Sequence, residues 1–397
     1  MRAGTIAVCA LAVALLPAPA SAADAEQRAE TREAMRGIFA AFSTLVSRSQ
    51  DPARFAAPAH RAEIAAALAA LAERTHELDS HPGSLNPAHR SVQRSLADDV
   101  AMARQAYTEG FFEAARFRVE QMAEDCFACH SKLPAGQPFD LGAQLLGSPA
   151  AREMPAERRA LLAVAARQFD TALGLYEALF RDRTRSATEI ALSGAFESYL
   201  KVALRVAGDR VRALAALGGF LERPDVPRYL TDELGVWVET LRDAPPADGS
   251  LPPGERLARA RQWIREGQLR TSYPGDGRGV VHFMLASQLL HLQLDQADGA
   301  PRELAEVLYL LGLCEIQISP SLWVSEVEDF LEGAIRAAPD TTHARKAYAT
   351  LEAVYTRGFT GSDGTYIPPD VEQRLTALRA LVDAGEPGGA GDGAQVR

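Results

Sequence analysis

Lysine is nearly absent from this chain: only three of its 42 basic residues are lysines, namely Lys132, Lys201 and Lys346. We interpret this scarcity as a feature of genome composition and not of function. Acidic residues outnumber basic ones by 52 to 42, which gives a formal net charge of −10 at pH 7. Nucleic acids and anionic lipids repel such a chain, so neither is expected as a partner.

Long hydrophobic runs are also lacking. One short apolar stretch runs from Ile6 to Leu16, between a basic start and the small residues A-S-A at positions 20–22. This pattern is typical of a secretory signal peptide, so residues 1–22 are predicted to be cleaved and the rest exported to the periplasm. The stretch is too short for a confident membrane span, and no span is expected in the mature chain. Its retention as an N-terminal anchor is the alternative.

The usual signatures of enzymes are missing as well. The chain has no credible Ser-His-Asp set, no H-E-x-x-H zinc motif and no phosphate-binding glycine loop. The glycine-rich segment 275–279 follows Pro274 with no strand before it, which predicts a turn. We therefore predict that the protein is not an enzyme.

Cysteine is scarce, with four residues in all. Cys9 falls within the predicted signal peptide. Cys314 lies in an apolar helical stretch, which indicates a small buried side chain. Cys126 and Cys129 remain, and both belong to one short motif, so no structural disulfide is expected.

These two cysteines belong to the segment Cys126-Phe127-Ala128-Cys129-His130, whose pattern C-x-x-C-H is the attachment signature of c-type haem. Two thiols add to the two vinyl groups of one porphyrin, and the imidazole that follows ligates the iron. On a helix, side chains at i, i+3 and i+4 share one face and can hold one flat ring. We predict one covalent haem c on Cys126 and Cys129, with His130 as the iron ligand.

The fold class predicted is all-α, because apolar residues recur with helical period and alternating strand-like runs are absent. Four amphipathic helices are predicted up to the motif, at about 29–49, 58–78, 87–108 and 111–133. The rest divides into a linker at 134–155, a helical repeat domain at 156–384 and a disordered tail at 385–397.

Four helices with C-x-x-C-H at the end of the fourth resemble the cytochrome c-prime family and its six-coordinate relatives, over residues 23–133. The resemblance implies an exported four-helix bundle around one haem, in some members a homodimer, with His130 as the proximal ligand. Helix one covers the other face of the iron, and Met35 occupies the place where low-spin members carry a methionine. Phe39 and Phe42 follow on the same apolar face of this helix, which we call its stripe, and would line the haem pocket. The chain departs from the family after the motif, where it lacks the arginine commonly found there.

The sixth iron ligand decides the function. A thioether stabilises ferrous haem and suits electron transfer, which makes Met35 the first candidate. The alternative is that Met35 only packs beside an open iron face. Met122 lies one turn before Cys126 and is interpreted as core, and Met102 falls off the stripe of its helix. The other candidates are four histidines, His60, His76, His81 and His89.

The second half resembles tetratricopeptide repeats (TPR). The matching positions are Leu308, Leu311, Gly312, Leu331, Ala334 and Pro339. Leu173-Gly174 with Tyr176 is a second, weaker match to the repeat. Three extra residues around 319–321 depart from the repeat, and an irregular helical domain is the alternative. The resemblance implies a helical solenoid (TPR-like) that binds a protein partner on its concave face.

The leading hypothesis is therefore a periplasmic monohaem c-type cytochrome that carries electrons and docks a redox protein through its repeat domain. The second is a five-coordinate haem protein that binds or senses NO or CO. The third hypothesis is that the protein is chiefly a scaffold, in which the repeats are functional and the haem only stabilises the fold. A peroxidase would need a polar distal base and an arginine near the iron, and Arg32 and Arg36 lie off the stripe of Met35.

Overall fold

The structure is a computed structural model, and it describes residues 22–80, 87–132, 140–245, 251–273, 275–295, 300–318 and 326–385. Within these ranges the chain is all-α, as predicted, apart from one hairpin of two-residue strands, β1 (Thr360–Gly361) and β2 (Gly364–Thr365). No helix in the described ranges is long and apolar enough to cross a membrane. The predicted signal peptide up to residue 21, the turn with His81 and the predicted tail after residue 385 lie outside the described residues.

The N-terminal helices lie where the apolar period predicts them. They are α1 (Ala22–Ser49), α2 (Pro52–Ala56), α3 (Arg61–Ser80), α4 (Pro87–Thr108) and α5 (Phe112–His130). The short α2 is an addition to the prediction. It begins because the Asp51 carboxylate accepts hydrogen bonds from the N–H groups of Ala53 and Arg54 at 2.9 and 3.2 Å. Gly110 separates α4 from α5 with a φ of 86°, a backbone conformation that glycine adopts without strain.

These helices pack through the apolar stripes read from the sequence. α1 contacts α3 and α5, α3 contacts α4, and α4 contacts α5. Their buried side chains form a cluster that we call the first core, which includes Phe39, Phe42, Leu45, Leu68, Val100, Val119 and Met122. Each large apolar side chain that is fully buried contributes roughly 1.5–3 kcal/mol to stability.

The segment predicted as a linker contains two short helices, α6 (Asp140–Leu146) and α7 (Pro149–Arg152). Ser148 caps α7 by accepting a hydrogen bond from the N–H of Ala151 at 3.2 Å. Leu145, Ala151 and Met154 are buried in the first core. The described part of this segment is therefore packed structure, although its proline and glycine content is typical of a linker.

The remaining described chain is a succession of helices, each packed on its neighbours. They are α8 (Ala156–Ala165), α9 (Phe169–Arg181), α10 (Ala187–Leu192), α11 (Ala195–Leu200), α12 (Arg210–Leu221), α13 (Arg228–Asp243), α14 (Pro253–Arg270), α15 (Val280–Asp295), α16 (Pro301–Ile318), α17 (Glu326–Ala337), α18 (Thr342–Gly358) and α19 (Pro369–Ala384). α11 continues into a π-helix, Lys201–Val206. Their buried side chains form a second core, which includes Cys314, buried as predicted.

The two cores meet at α8, which packs against α5. Ala160, Ala163 and Val164 of α8 belong to the second core, whereas Leu162 and Ala166 belong to the first. The C-terminal end of α5, which carries the C-x-x-C-H motif, therefore lies close to the second set of helices.

Gly312 allows α16 and α17 to approach closely, which gives a first testable prediction. A Cβ atom at this position would lie 2.7 Å from Cδ2 and 2.9 Å from Cγ of Leu331. We expect Gly312→Ala to lower the free energy of unfolding by roughly 1–3 kcal/mol. Gly174→Ala on α9 is the matched control, because nothing lies within 4 Å of its added Cβ. It should raise stability by roughly 0.5–1 kcal/mol, and urea denaturation that finds the same sign for both would contradict the packing account.

Candidate functional site

The C-x-x-C-H motif occupies the last turns of α5. Cys126, Cys129 and His130 lie in continuous α-helix, and the helix ends where the N–H of Ser131 donates to the carbonyl of Phe127 at 2.9 Å. The three side chains are therefore at helical positions i, i+3 and i+4, which share one face. This is the arrangement that the sequence predicts for holding one ring.

The imidazole of His130 is oriented by a backbone carbonyl from α8. Its Nδ1 lies 3.3 Å from the carbonyl oxygen of Val164. A carbonyl can only accept, so Nδ1 carries the proton and the lone pair of the neutral ring is on Nε2. Burial, assisted by the charge of Arg167, lowers the pKa of His130 to about 4, so the ring is neutral at neutral pH. A histidine that ligates a metal usually donates one ring N–H to a carbonyl or carboxylate and coordinates through the other nitrogen.

The two thiols of the motif are protonated and do not form a disulfide. Burial raises the pKa of the Cys126 thiol, and the neighbouring Asp125 acts in the same direction. Burial also raises the pKa of Cys129, against the charge of Lys132. A dithiol redox motif or a cysteine nucleophile relies on a lowered thiol pKa, which neither residue has. Both residues are half-buried, and burial is the largest influence on the pKa of each thiol.

No group of three or more His, Cys, Asp or Glu side chains is placed to hold a metal ion in the chain described above. A haem iron needs no such cluster, because the porphyrin supplies four nitrogens and the protein one or two axial donors. The residues present fit this requirement: one neutral histidine whose Nδ1 is held by a carbonyl, and two free cysteines about one turn apart on the same helix.

The predicted distal residues lie on α1, which packs against α5. Phe39 and Phe42 are buried in the first core beside Met122 and Ala123, the residues that lead into the motif. Met35 is half-buried and borders the same core. The structure thus brings the stripe of α1 to the helix that carries the motif, and a Met35–iron bond stays a prediction.

The other sulfur and imidazole candidates lie in different surroundings. Met122 is fully buried, as expected of a core residue, and Met102 is 40% exposed. His60 lies 3.6 Å from the Glu63 carboxylate through Nδ1, and His76 is exposed. His81 and the side chain of His89 lie outside the described residues.

Sequence reasoning missed a cluster of buried charges directly after the motif. Lys132 Nζ lies 2.8 Å from Glu326 Oε1, with side chains 1% and 8% exposed. Arg205 lies 2.9 Å from Glu315, with both side chains 3% exposed. Ser287 Oγ donates to Glu315 at 3.1 Å, and a guanidinium nitrogen of Arg205 lies 3.5 Å from Ser131 Oγ. We call Ser131, Lys132, Arg205, Ser287, Glu315 and Glu326 the buried ionic cluster.

This cluster joins the motif to four elements of the second half: the π-helix, α15, α16 and α17. Phe127, inside the motif, is itself part of the second core. Arg94 of α4 forms a further ion pair with Asp329 of α17. A signal for the cluster exists in the sequence, because Arg205 and Glu315 interrupt apolar runs on their helices, and charges at such positions are normally paired.

Burial and mutual interaction set the protonation of this cluster. Burial alone would raise the pKa of Glu315, but the charges of Arg205, Lys201 and Lys132 outweigh it and hold that pKa below its usual value. Burial raises the pKa of Glu326, against the charge of Lys132. Burial lowers the pKa of Lys201, and the charge of Arg205 acts in the same direction. The ionised state of each carboxylate in the cluster therefore depends on the positive charges buried beside it.

Asp125, between Glu124 and Cys126, is buried to 1% exposure. Burial raises its pKa to about 8, against a hydrogen-bonding contribution from Ser95, and the nearby Asp99 raises it further. Neither carboxyl oxygen makes a hydrogen bond of ordinary geometry to another described residue. Asp125 is therefore predominantly a neutral carboxylic acid at pH 7.

Comparison of the chain with protein-family models, with curated proteins and with solved structures finds no significant match in any of the three.

Proposed function

We propose that this chain is an exported, periplasmic monohaem c-type cytochrome that carries electrons. In this proposal residues 23–133 form a four-helix haem bundle, and residues 156–384 form a TPR-like α-solenoid that docks a redox protein. The observation that carries the proposal is the contact of His130 Nδ1 with the Val164 carbonyl, because it leaves Nε2 of a neutral imidazole to coordinate iron.

Each residue of the site has a defined role in this proposal. Cys126 and Cys129 each add their S–H across one vinyl C=C bond, so that a thioether forms, the proton goes to the neighbouring carbon and no oxidant is needed. His130 is the proximal ligand, and Met35 is the candidate sixth ligand. The bound haem would supply the iron that alternates between the ferric and ferrous states. Phe39 and Phe42, buried in the first core, exclude water from the side of α1.

The test is an optical spectrum of the purified exported protein, ferric and ferrous, with and without carbon monoxide. Electron transfer with Met35 bound predicts a low-spin spectrum that carbon monoxide does not change, and a high-spin spectrum in Met35→Ala. Met102→Ala is the matched control, because Met102 is 40% exposed and off the stripe. A high-spin wild type that binds carbon monoxide readily would remove Met35 as a ligand, and a chain without haem would refute the proposal as a whole.

The second candidate function is a haem sensor with an open iron face for NO or CO. One observation favours it: the end of α5 is built into the second half of the molecule through Phe127, Ser131 and Lys132. A displacement of His130 on ligand binding would therefore act directly on α8, α16 and α17. A carrier has no need of such a connection, whereas a sensor must transmit its signal. The carbon monoxide arm of the test above decides between the two.

A further inference from the structure

Arg167 has an unusual conformation beside the proximal histidine. It lies in the turn between α8 and α9 and is the one non-glycine residue with a positive φ, 56°, in the described chain. Its N–H donates to the Val164 carbonyl at 2.9 Å, the same oxygen that lies 3.3 Å from His130 Nδ1. One backbone oxygen thus contacts both the turn and the predicted iron ligand. The turn is also held by a hydrogen bond from the N–H of Gln168 to the Ala163 carbonyl at 2.7 Å.

The guanidinium of Arg167 is incompletely satisfied. Its Nε is buried and has no hydrogen-bond partner in the described part of the chain. Its guanidinium carbon lies 5.9 Å from the ring centroid of Phe169, on the same turn. The Arg167 charge influences both His130 and Cys129, so it is close to the C-terminal end of the motif. A buried donor of a charged group without an acceptor is costly, so an added acceptor at Nε would stabilise the site.

The other cations near the motif already have partners within the protein. Lys132 is paired with Glu326, and Arg205 with Glu315, while Lys201 Nζ lies 5.9 Å from the ring centroid of Phe127. A porphyrin attached at Cys126 and Cys129 carries two propionate carboxylates, and arginine binds carboxylates in a planar, two-pronged geometry. A propionate of the proposed cofactor could therefore supply the acceptor that the Nε–H of Arg167 lacks.

We propose that Arg167 is the cationic partner of a haem propionate, so that the turn between α8 and α9 holds part of the cofactor. This inference rests on the proposed attachment of haem to the motif. The left-handed conformation of Arg167 belongs to the hydrogen-bonded end of α8, which fixes the point from which its side chain extends.

The experiment compares Arg167→Asn, Arg167→Gly and Arg167→Lys in the full-length protein. Asparagine and glycine both tolerate the left-handed conformation, so either removes the charge without disturbing the turn. Arg152→Gln is the control, because Arg152 is an exposed residue at the end of α7. Two quantities are measured on the haem-loaded proteins: the resonance Raman band of propionate bending, which responds to hydrogen bonding of the propionate, and the reduction potential.

We expect the propionate band to shift in the Asn and Gly variants and their reduction potential to fall, since loss of a nearby positive charge stabilises the ferric state. The Lys variant should keep most of the potential but shift the band, because it retains the charge without the two-pronged geometry. Arg152→Gln should change neither quantity. An unchanged band and potential in both the Asn and the Gly variant, with haem attached, would overturn this inference alone. A wild-type chain with no covalent haem would refute the proposed function and the inference with it.

Discussion

Replacing Arg205 with methionine is expected to lower the free energy of unfolding by roughly 3–5 kcal/mol. Arg205 and Glu315 lie 2.9 Å apart with both side chains 3% exposed, so removal of the cation leaves a carboxylate buried. Ser287 donates to the same carboxylate oxygen but carries no charge to compensate it. Guanidinium chloride denaturation of the haem-loaded protein measures the effect.

Two further variants separate this charge effect from a loss of packing. The double variant Arg205→Met with Glu315→Leu should recover most of the stability, because a matched apolar pair is often as stable as a buried ion pair. Arg228→Ala is the surface control, since Arg228 and Asp232 are 94% and 65% exposed, and it should cost less than about 0.5 kcal/mol. A double variant no more stable than Arg205→Met would show that the cost comes from lost volume and not from an unpaired charge.

The location of this pair links stability to the motif. The Arg205 guanidinium also contacts the hydroxyl of Ser131, the residue that follows His130. The next residue, Lys132, is paired with Glu326. The π-helix that carries Arg205 is a rare element that often marks functional sites. If the motif carries haem as proposed, Arg205→Met should broaden or shift its optical bands as well as lower stability, whereas the surface control should leave the spectrum unchanged.

The parts of the fold that could be predicted from the sequence are those determined locally. The period of apolar residues predicts the long helices, and Asp51 and Gly110 lie at their ends because a capping carboxylate and a left-handed glycine act on adjacent backbone. The position of Cys126, Cys129 and His130 on a single helical face also follows from spacing alone.

Contacts between distant segments could not be predicted in this way. Phe127 carries no sign in its own neighbourhood that it belongs to the second core, and Lys132 none that it pairs with a residue 194 positions later. Residues 140–152 carry the Gly and Pro content of a linker, yet burial of Leu145 and Ala151 organises them as helices. Arg167 is likewise ordinary in sequence, and only its φ and the shared Val164 carbonyl identify it.

Asp125→Asn is expected to remove a pH dependence of stability. The pKa of Asp125 is about 8 in the folded chain against an ordinary value of 3.8, so between these values the folded chain binds a proton that the unfolded chain has released. Stability contributed by this group is therefore complete below about pH 4 and is lost as the pH rises towards 8, at up to about 1.4 kcal/mol per pH unit. Asparagine has the same shape and does not ionise, so the variant should be more stable than the wild type by up to about 5 kcal/mol at pH 7.5, since the difference accumulates over the whole interval above pH 3.8.

The measurement is thermal or denaturant unfolding of the haem-loaded protein at intervals from pH 5 to pH 8. The informative quantity is the difference between wild type and variant, because the titrations of other carboxyl groups are common to both. Asp98→Asn, an exposed neighbour on α4, is the control and should run parallel to the wild type. Parallel curves for Asp125→Asn would mean that Asp125 is solvated in the protein. Curves that diverge as the pH rises would mean that a neutral acid is held one residue before Cys126. Since burial of a neutral acid costs far less than burial of a carboxylate, this protonation is what allows Asp125 to be buried at the start of the motif.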